Sequence, residues 1–130
     1  MEIVVSQAQG RVPITIFHIK GDLSDEELLI SQAKEAIQAG TQNLLLDLSD
    51  VPYISSGGLR GLHAVWMLLR EDPSEAGSKH VREGIAQGTY HSRHLKLLNP
   101  SKNAQKALAV SGYDMFLQIH QRLQPALDSF

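Results

Sequence analysis

Apolar positions along the chain change period several times, and each change marks an element. Residues 2–6 and 12–19 are rich in β-branched side chains, with Gln7-Ala8-Gln9-Gly10-Arg11 between them carrying turn chemistry, which predicts two opening strands joined as a hairpin. Pro13 has no amide proton for a ladder, so it belongs at the start or edge of the second strand. From Ser24 the period becomes helical: Leu29, Ala33, Ala36 and Ile37 share one face. Ser24 and Glu27 have capping-box spacing, Asp25 and Glu26 suit a helix N-terminus, and Gly40 suits its end. The spacing therefore predicts a helix over 24–39.

Leu44-Leu45-Leu46-Asp47-Leu48 is too short for a helix and almost continuously apolar, as expected of a strand buried on both faces beside parallel neighbours. A loop follows. Then Leu59, Leu62, Trp66 and Leu69 repeat at helical spacing behind Ser55-Ser56-Gly57-Gly58. The pattern lapses over 71–93, where Pro73, Gly77, Gly84 and Gly88 are mixed with polar and charged residues. This stretch is expected to be a mobile insertion, read either as a tolerated surface insertion or as a recognition segment that orders on binding. Residues 94–98 predict a strand, Ser101 an N-cap, Ala104, Ala107 and Leu108 a short helix ending near Gly112, and 115–119 a last strand. Leu123, Ala126, Leu127 and Phe130 predict a closing helix with Pro125 in its first turn. Strands alternating with helices argue for one domain over 1–130, of α/β class, with a sheet mostly parallel after its opening strands.

Composition narrows the functions available. Twelve basic against fourteen acidic residues give a net charge of −2, without the basic footprint of a nucleic-acid binder. Zero Cys excludes disulfides, thiolate catalysis and Cys-based metal sites, and fits a reducing compartment. No leader or membrane span is apparent, so a cytoplasmic location without membrane insertion is the expectation. No phosphate-binding glycine loop, dinucleotide fingerprint, nucleophile elbow or zinc-protease motif is present, so no catalytic residue, no cofactor and no metal are assigned. His80, His91 and His94 cluster near the insertion, but no carboxylate or Cys completes a recognisable ligand spacing, and a solvated loop is the better account.

The stretch Asp47 to Leu62, DLSDVPYISSGGLRGL, carries the chemistry that remains. It reads as strand, loop and a helix N-terminus bearing two hydroxyls. A phosphate on Ser55 or Ser56 would meet free amide protons there and would add about −2 charge to a small, otherwise neutral face. Such a change switches a docking surface. The alternative is structural: Ser at a helix start is a cap and the glycines are turn residues, although Gly57 and Gly58 also allow another backbone to come close.

This stretch resembles the signature of STAS domains, the family that includes bacterial anti-sigma-factor antagonists. Asp47-Leu48-Ser49, Val51, Tyr53, Ile54, Ser56, Gly58 and Leu59 align without a gap. Gly21-Asp22-Leu23, Leu95 to Pro100 and Gly112-Tyr113 to Phe116 resemble further family segments. The resemblance implies a STAS fold: a mixed central sheet of about five strands with about four α-helices packed against it. It also implies a phosphorylation-controlled binding module, non-catalytic, that engages an anti-sigma factor acting as a serine protein kinase, with a serine phosphatase to reset it. The phosphoacceptor role falls on Ser56, and the implied docking surface comprises Asp22, Ser24, Ser55, Ser56, Gly57, Gly58, Leu59 and Arg60. Three positions depart from the family pattern: Ser55 replaces Asp, Gly57 replaces a hydroxyl residue and Ser24 replaces Asp. The missing carboxylates weaken any metal or nucleotide contact but leave Ser56 in place. A second implication is a STAS scaffold subunit of a signalling or lipid-trafficking complex, with Ser56 only a helix cap.

Overall fold

A computed structural model describes residues 1–70 and 92–130. The insertion expected over 71–93, with His80 and His91, lies outside the described residues apart from Ser92 and Arg93. In chain order the described elements are β1 (Glu2–Gln9), β2 (Pro13–Lys20), α1 (Glu26–Gln38), β3 (Leu44–Asp50), α2 (Ser56–Leu69), β4 (Leu95–Leu98), α3 (Lys102–Ser111), a 3₁₀ turn (Tyr113–Met115), β5 (Ile119–His120) and α4 (Leu123–Asp128). The sheet order is β1-β2-β3-β4-β5. β1 and β2 form the expected antiparallel hairpin, and β2, β3, β4 and β5 run parallel. This is the mixed five-stranded α/β arrangement that the STAS resemblance implies.

The strand alternation divides the sheet between two cores. On one face Phe17 and Ile19 of β2, Leu44, Leu46 and Leu48 of β3, and Leu95 and Leu97 of β4 pack against α1, α2 and α3 through Leu29, Leu62, Val65, Trp66 and Leu108. On the other face Ile14, Leu45 and Leu98 meet Ala126 and Leu127 of α4. β3 is therefore buried on both faces, as its leucine run predicts. Pro13 opens β2 opposite Gln9, where its missing amide proton is harmless.

Helix ends follow local chemistry with one shift. Gly40, at φ 107°, follows the last turn of α1, its amide bonding Ile37 O while Thr41 N bonds Ala36 O. That pair of bonds is a Schellman closure, which needs the left-handed residue glycine supplies. Ser101 caps α3 through the amide of Ala104, and Gly112 ends that helix. At the start of α1 the expected Ser24–Glu27 capping box is displaced: Asp25 is the cap, accepting from Leu28 N, and Ser24 turns its hydroxyl to Asp22 O. Asp and Ser cap about equally well, so tertiary placement of the Gly21–Ser24 turn decides between them.

Two strand boundaries also differ. β1 runs on through Gln7, Ala8 and Gln9, because pairing with Pro13–Thr15 supplies ladder bonds that their own propensity does not. The strand expected over 115–119 is only Ile119–His120. Met115 closes the 3₁₀ turn, and Phe116 and Leu117 are buried in the main core. An apolar run that plugs a core and one that forms a strand share the same sequence signal.

Candidate functional site

The N-terminus of α2 is built on the turn after β2. Leu23 lies alongside Ile54 in an isolated parallel bridge; Leu23 N donates to Tyr53 O and Ser55 N to Leu23 O, both at 3.0 Å. Gly58 is buried because this turn presses on it: a Cβ at Gly58 would lie 2.1 Å from Leu23 O, and one at Gly57 would lie 2.8 Å from Ser24 O. The close backbone approach expected at these glycines is thus made by the chain itself. As a result the exposed Ser24 lies against Gly57 and Leu23 against Ser55, although over thirty residues separate the two segments in sequence; Asp22, also exposed, precedes Leu23 in the same turn.

The two serines have different duties. Ser55 is the N-cap, its Oγ accepting from Gly58 N at 3.2 Å and donating to Leu23 O at 3.4 Å. Ser56 is the first residue of the helix and is exposed. Its hydroxyl makes no hydrogen bond among the described residues, so the capping role considered for Ser56 belongs to Ser55 instead. Leu59 is half-buried, packing against the main core, and Arg60 is exposed, with its Nε donating to Glu26 Oε2 at 3.1 Å.

Beside Ser56 runs an open groove of about 530 Å³, with Tyr53, Ser56 and Leu59 on one wall and Lys106, Ala107 and Val110 of α3 on the other. Tyr53 and Val110 are 53% and 81% exposed, leaving apolar surface uncovered at the helix start. Ser101, at the start of α3, ties that helix to the loop before α2 by donating to Val51 O at 2.8 Å.

Beneath this loop lies a cluster that sequence reasoning missed. His18 of β2 places Nδ1 2.8 Å from Asp47 Oδ2 and Nε2 2.8 Å from Asp50 Oδ2. Ionised carboxylates only accept, so both contacts are hydrogen bonds when the ring is doubly protonated. The Asp47 bond raises the His18 pKa against the opposing effect of burial, and Asp50 adds to the rise. Burial pushes the Asp47 carboxyl up, but the Ser49 hydroxyl and amide, with His18, outweigh it and hold the group below the usual carboxylate range. Asp47-Leu48-Ser49 is thus an anchor: Asp47 Oδ1 accepts from Ser49 N at 3.0 Å and Ser49 Oγ at 2.7 Å. The signal available in sequence was one face of alternation, Ile14, Ile16 and His18, but the facing carboxylates depend on strand register.

The STAS domain family model matches residues 5–72, more than half of the sequence. The chain belongs to the STAS domain family. In structure it is similar to an anti-sigma factor antagonist from Mycobacterium paratuberculosis, with a TM-score of 0.71 and 16% identity over 97% of this chain and 90% of that one. It is also similar to a Thermotoga maritima protein assigned as an anti-sigma factor antagonist (0.67, 15%, covering 97% and 92%). The anti-sigma factor antagonist SpoIIAA in its unphosphorylated form matches at 0.60 and 13%, covering 96% and 93%. At these identities the likeness establishes the shared fold. No curated protein matches the sequence. As a STAS domain the chain is a non-catalytic protein-binding module. Among the described residues no helix is long and apolar enough to cross a membrane, and no group of three His, Asp or Glu is arranged to hold a metal.

Proposed function

We propose that this STAS domain is an anti-sigma-factor antagonist, acting in the cytoplasm, that binds an anti-sigma factor with serine kinase activity while Ser56 is unphosphorylated. The observation that carries the reading is the division of labour at α2: Ser55 satisfies the helix start, and the Ser56 hydroxyl is exposed and uncommitted. A residue with no structural bond to lose is free to be modified. Phosphate at this position would sit against the first-turn amides of α2 and place about −2 charge beside the apolar groove. A partner that buries Tyr53 and Leu59 would then have to desolvate that charge. Asp22, Ser24, Gly57 and Arg60 form the exposed or half-exposed rim of the same surface, with Gly58 as its buried support. A serine phosphatase would return the surface to its binding state.

The test is a paired capture from native lysate with ATP, using the parent and Ser56→Asp as baits, with Ser56→Ala as control. The parent and Ser56→Ala should retain the same small ATP-binding serine kinase, and Ser56→Asp should lose at least tenfold of it, about 1.4 kcal/mol of binding. Equal retention on all three baits refutes the switch. It would favour the scaffold reading, in which Ser56 has no regulatory part.

A further inference from the structure

We propose that β1 is a docking edge for a second copy of this chain, the two β1 strands pairing antiparallel about a two-fold axis into one continuous ten-stranded sheet. The two edges of the sheet are constructed differently. β5 is two residues long and α4 packs beside it, so that edge offers almost no ladder. β1 is eight residues long, and all eight pair with β2 without a bulge. Among the described residues β2 is its sole strand neighbour, so the opposite row of amides and carbonyls faces outward. Edge strands are ordinarily protected by Lys, Pro, a bulge or shortness. Glu2–Gln9 has none of these, and its one charged residue is Glu2 at the very start. Val4 and Val5, β-branched and well suited to a ladder, are 44% and 45% exposed at mid-strand.

Charge selects the occupant and its direction. Glu2 begins the strand and Arg11 follows its end, and both are exposed. Antiparallel pairing of two copies brings each Glu2 toward the other copy's Arg11, twice by symmetry. A parallel pairing would instead stack Glu2 on Glu2. The edge is therefore self-complementary, as a two-fold interface must be. The axis perpendicular to the sheet keeps each face continuous. With Glu2 opposite Gly10, and so beside Arg11 of the other copy, it passes near Ser6, and Val5 lies opposite the other copy's Gln7, a cross-strand pair within the shared ladder. The Ser56 groove lies on α2 and α3, away from this edge, so the inference does not depend on the proposed function.

The experiment is sedimentation velocity on the full chain over a concentration series, with the parent, Val5→Lys, Glu2→Arg, Arg11→Glu and the Glu2→Arg/Arg11→Glu double variant. The parent should move from 14.3 kDa toward twice that mass as concentration rises. Val5→Lys should weaken association at least tenfold. Each single charge reversal should weaken it several-fold, and the double variant should recover most of that loss. The reversals are at exposed sites and remain decisive if Val5→Lys does not fold. A parent that stays at monomer mass up to about 1 mM overturns the proposal, since affinity weaker than that is no interface. So does a dimer indifferent to both kinds of variant.

Discussion

The two faces of the sheet are covered to different depths, and the difference explains where charge is allowed. One face carries α1, α2 and α3 and is packed with fully buried leucines, Phe17 and Trp66. The other carries α4, a helix of six residues, whose Ala126 and Leu127 bury a smaller cluster with Ile14, Leu45 and Leu98. Lys96 shows how α4 is held: its ammonium donates to Ser129 O at 2.8 Å and Ser129 Oγ at 3.0 Å and lies 4.9 Å from the Phe130 ring centre. On the same face Ile16, packed against the smaller apolar cluster, is only half-buried, Val4 is exposed, and the His18–Asp47–Asp50 cluster is partly open. A carboxylate could not stand where Leu46 stands, because burial without water or full pairing is too costly. One residue along, Asp47 is tolerated because its face is half open and three groups bond it.

The largest expected effect contrasts the two cores directly. Leu46→Ala should cost about 3–5 kcal/mol, since three helices prevent collapse around the missing atoms. Leu127→Ala, beneath the short α4, should cost about 2 kcal/mol, because a six-residue helix can settle into the gap. Urea unfolding of the two variants measures this, and equal losses would mean that the second core is as rigid as the first.

The next effect is a pH dependence confined to the thinner face. The folded-state pKa of His18 lies above 6.5, so its contribution is complete below that pH and is lost as pH rises through the folded value. The folded-state pKa of Asp47 lies below 3.8, so its contribution is present above that pH and is lost as pH falls through the folded value. The excess stability of the parent over His18→Gln should therefore peak between pH 3.8 and 6.5, at about 1 kcal/mol after allowance for solvent screening, and shrink on either side. Thermal melts across that range give the profile. A difference that stays flat from pH 4 to 8 would show that the cluster acts through packing rather than charge.

The smallest effect belongs to the helix-covered face at its exposed rim. Arg60→Ala removes the bond to Glu26 between groups 64% and 37% exposed, and should change unfolding stability by less than about 0.5 kcal/mol. A larger loss would place Arg60 in the packing between α1 and α2 rather than on the proposed docking rim.

Much of this arrangement is legible along the chain where the signal is local. The leucines of β3, the helical spacing of Leu62, Trp66 and Leu69, the cap at Ser101 and the closures at Gly40 and Gly112 each depend on residues a few positions apart. Where two neighbours offer the same chemistry, local signals tie. Ser24 and Asp25 are both good caps, as are Ser55 and Ser56, and in each pair the contact with a distant turn breaks the tie. Phe116 and Leu117 looked like strand and are core, because the strand signal does not say which side of the sheet edge the chain has reached.

Periodicity and a contiguous motif are enough for the order of elements, the hairpin opening, the parallel sheet and the family. Packing of remote segments sets which serine caps α2, that Gly58 receives the Leu23 carbonyl, that His18 meets two carboxylates 29 and 32 residues away, and that β1 has one strand neighbour among the described residues. Separation along the chain accounts for the difference. A cap or a helical face is written in neighbouring residues, whereas strand register and the stacking of a turn on a helix start exist only once remote segments have packed.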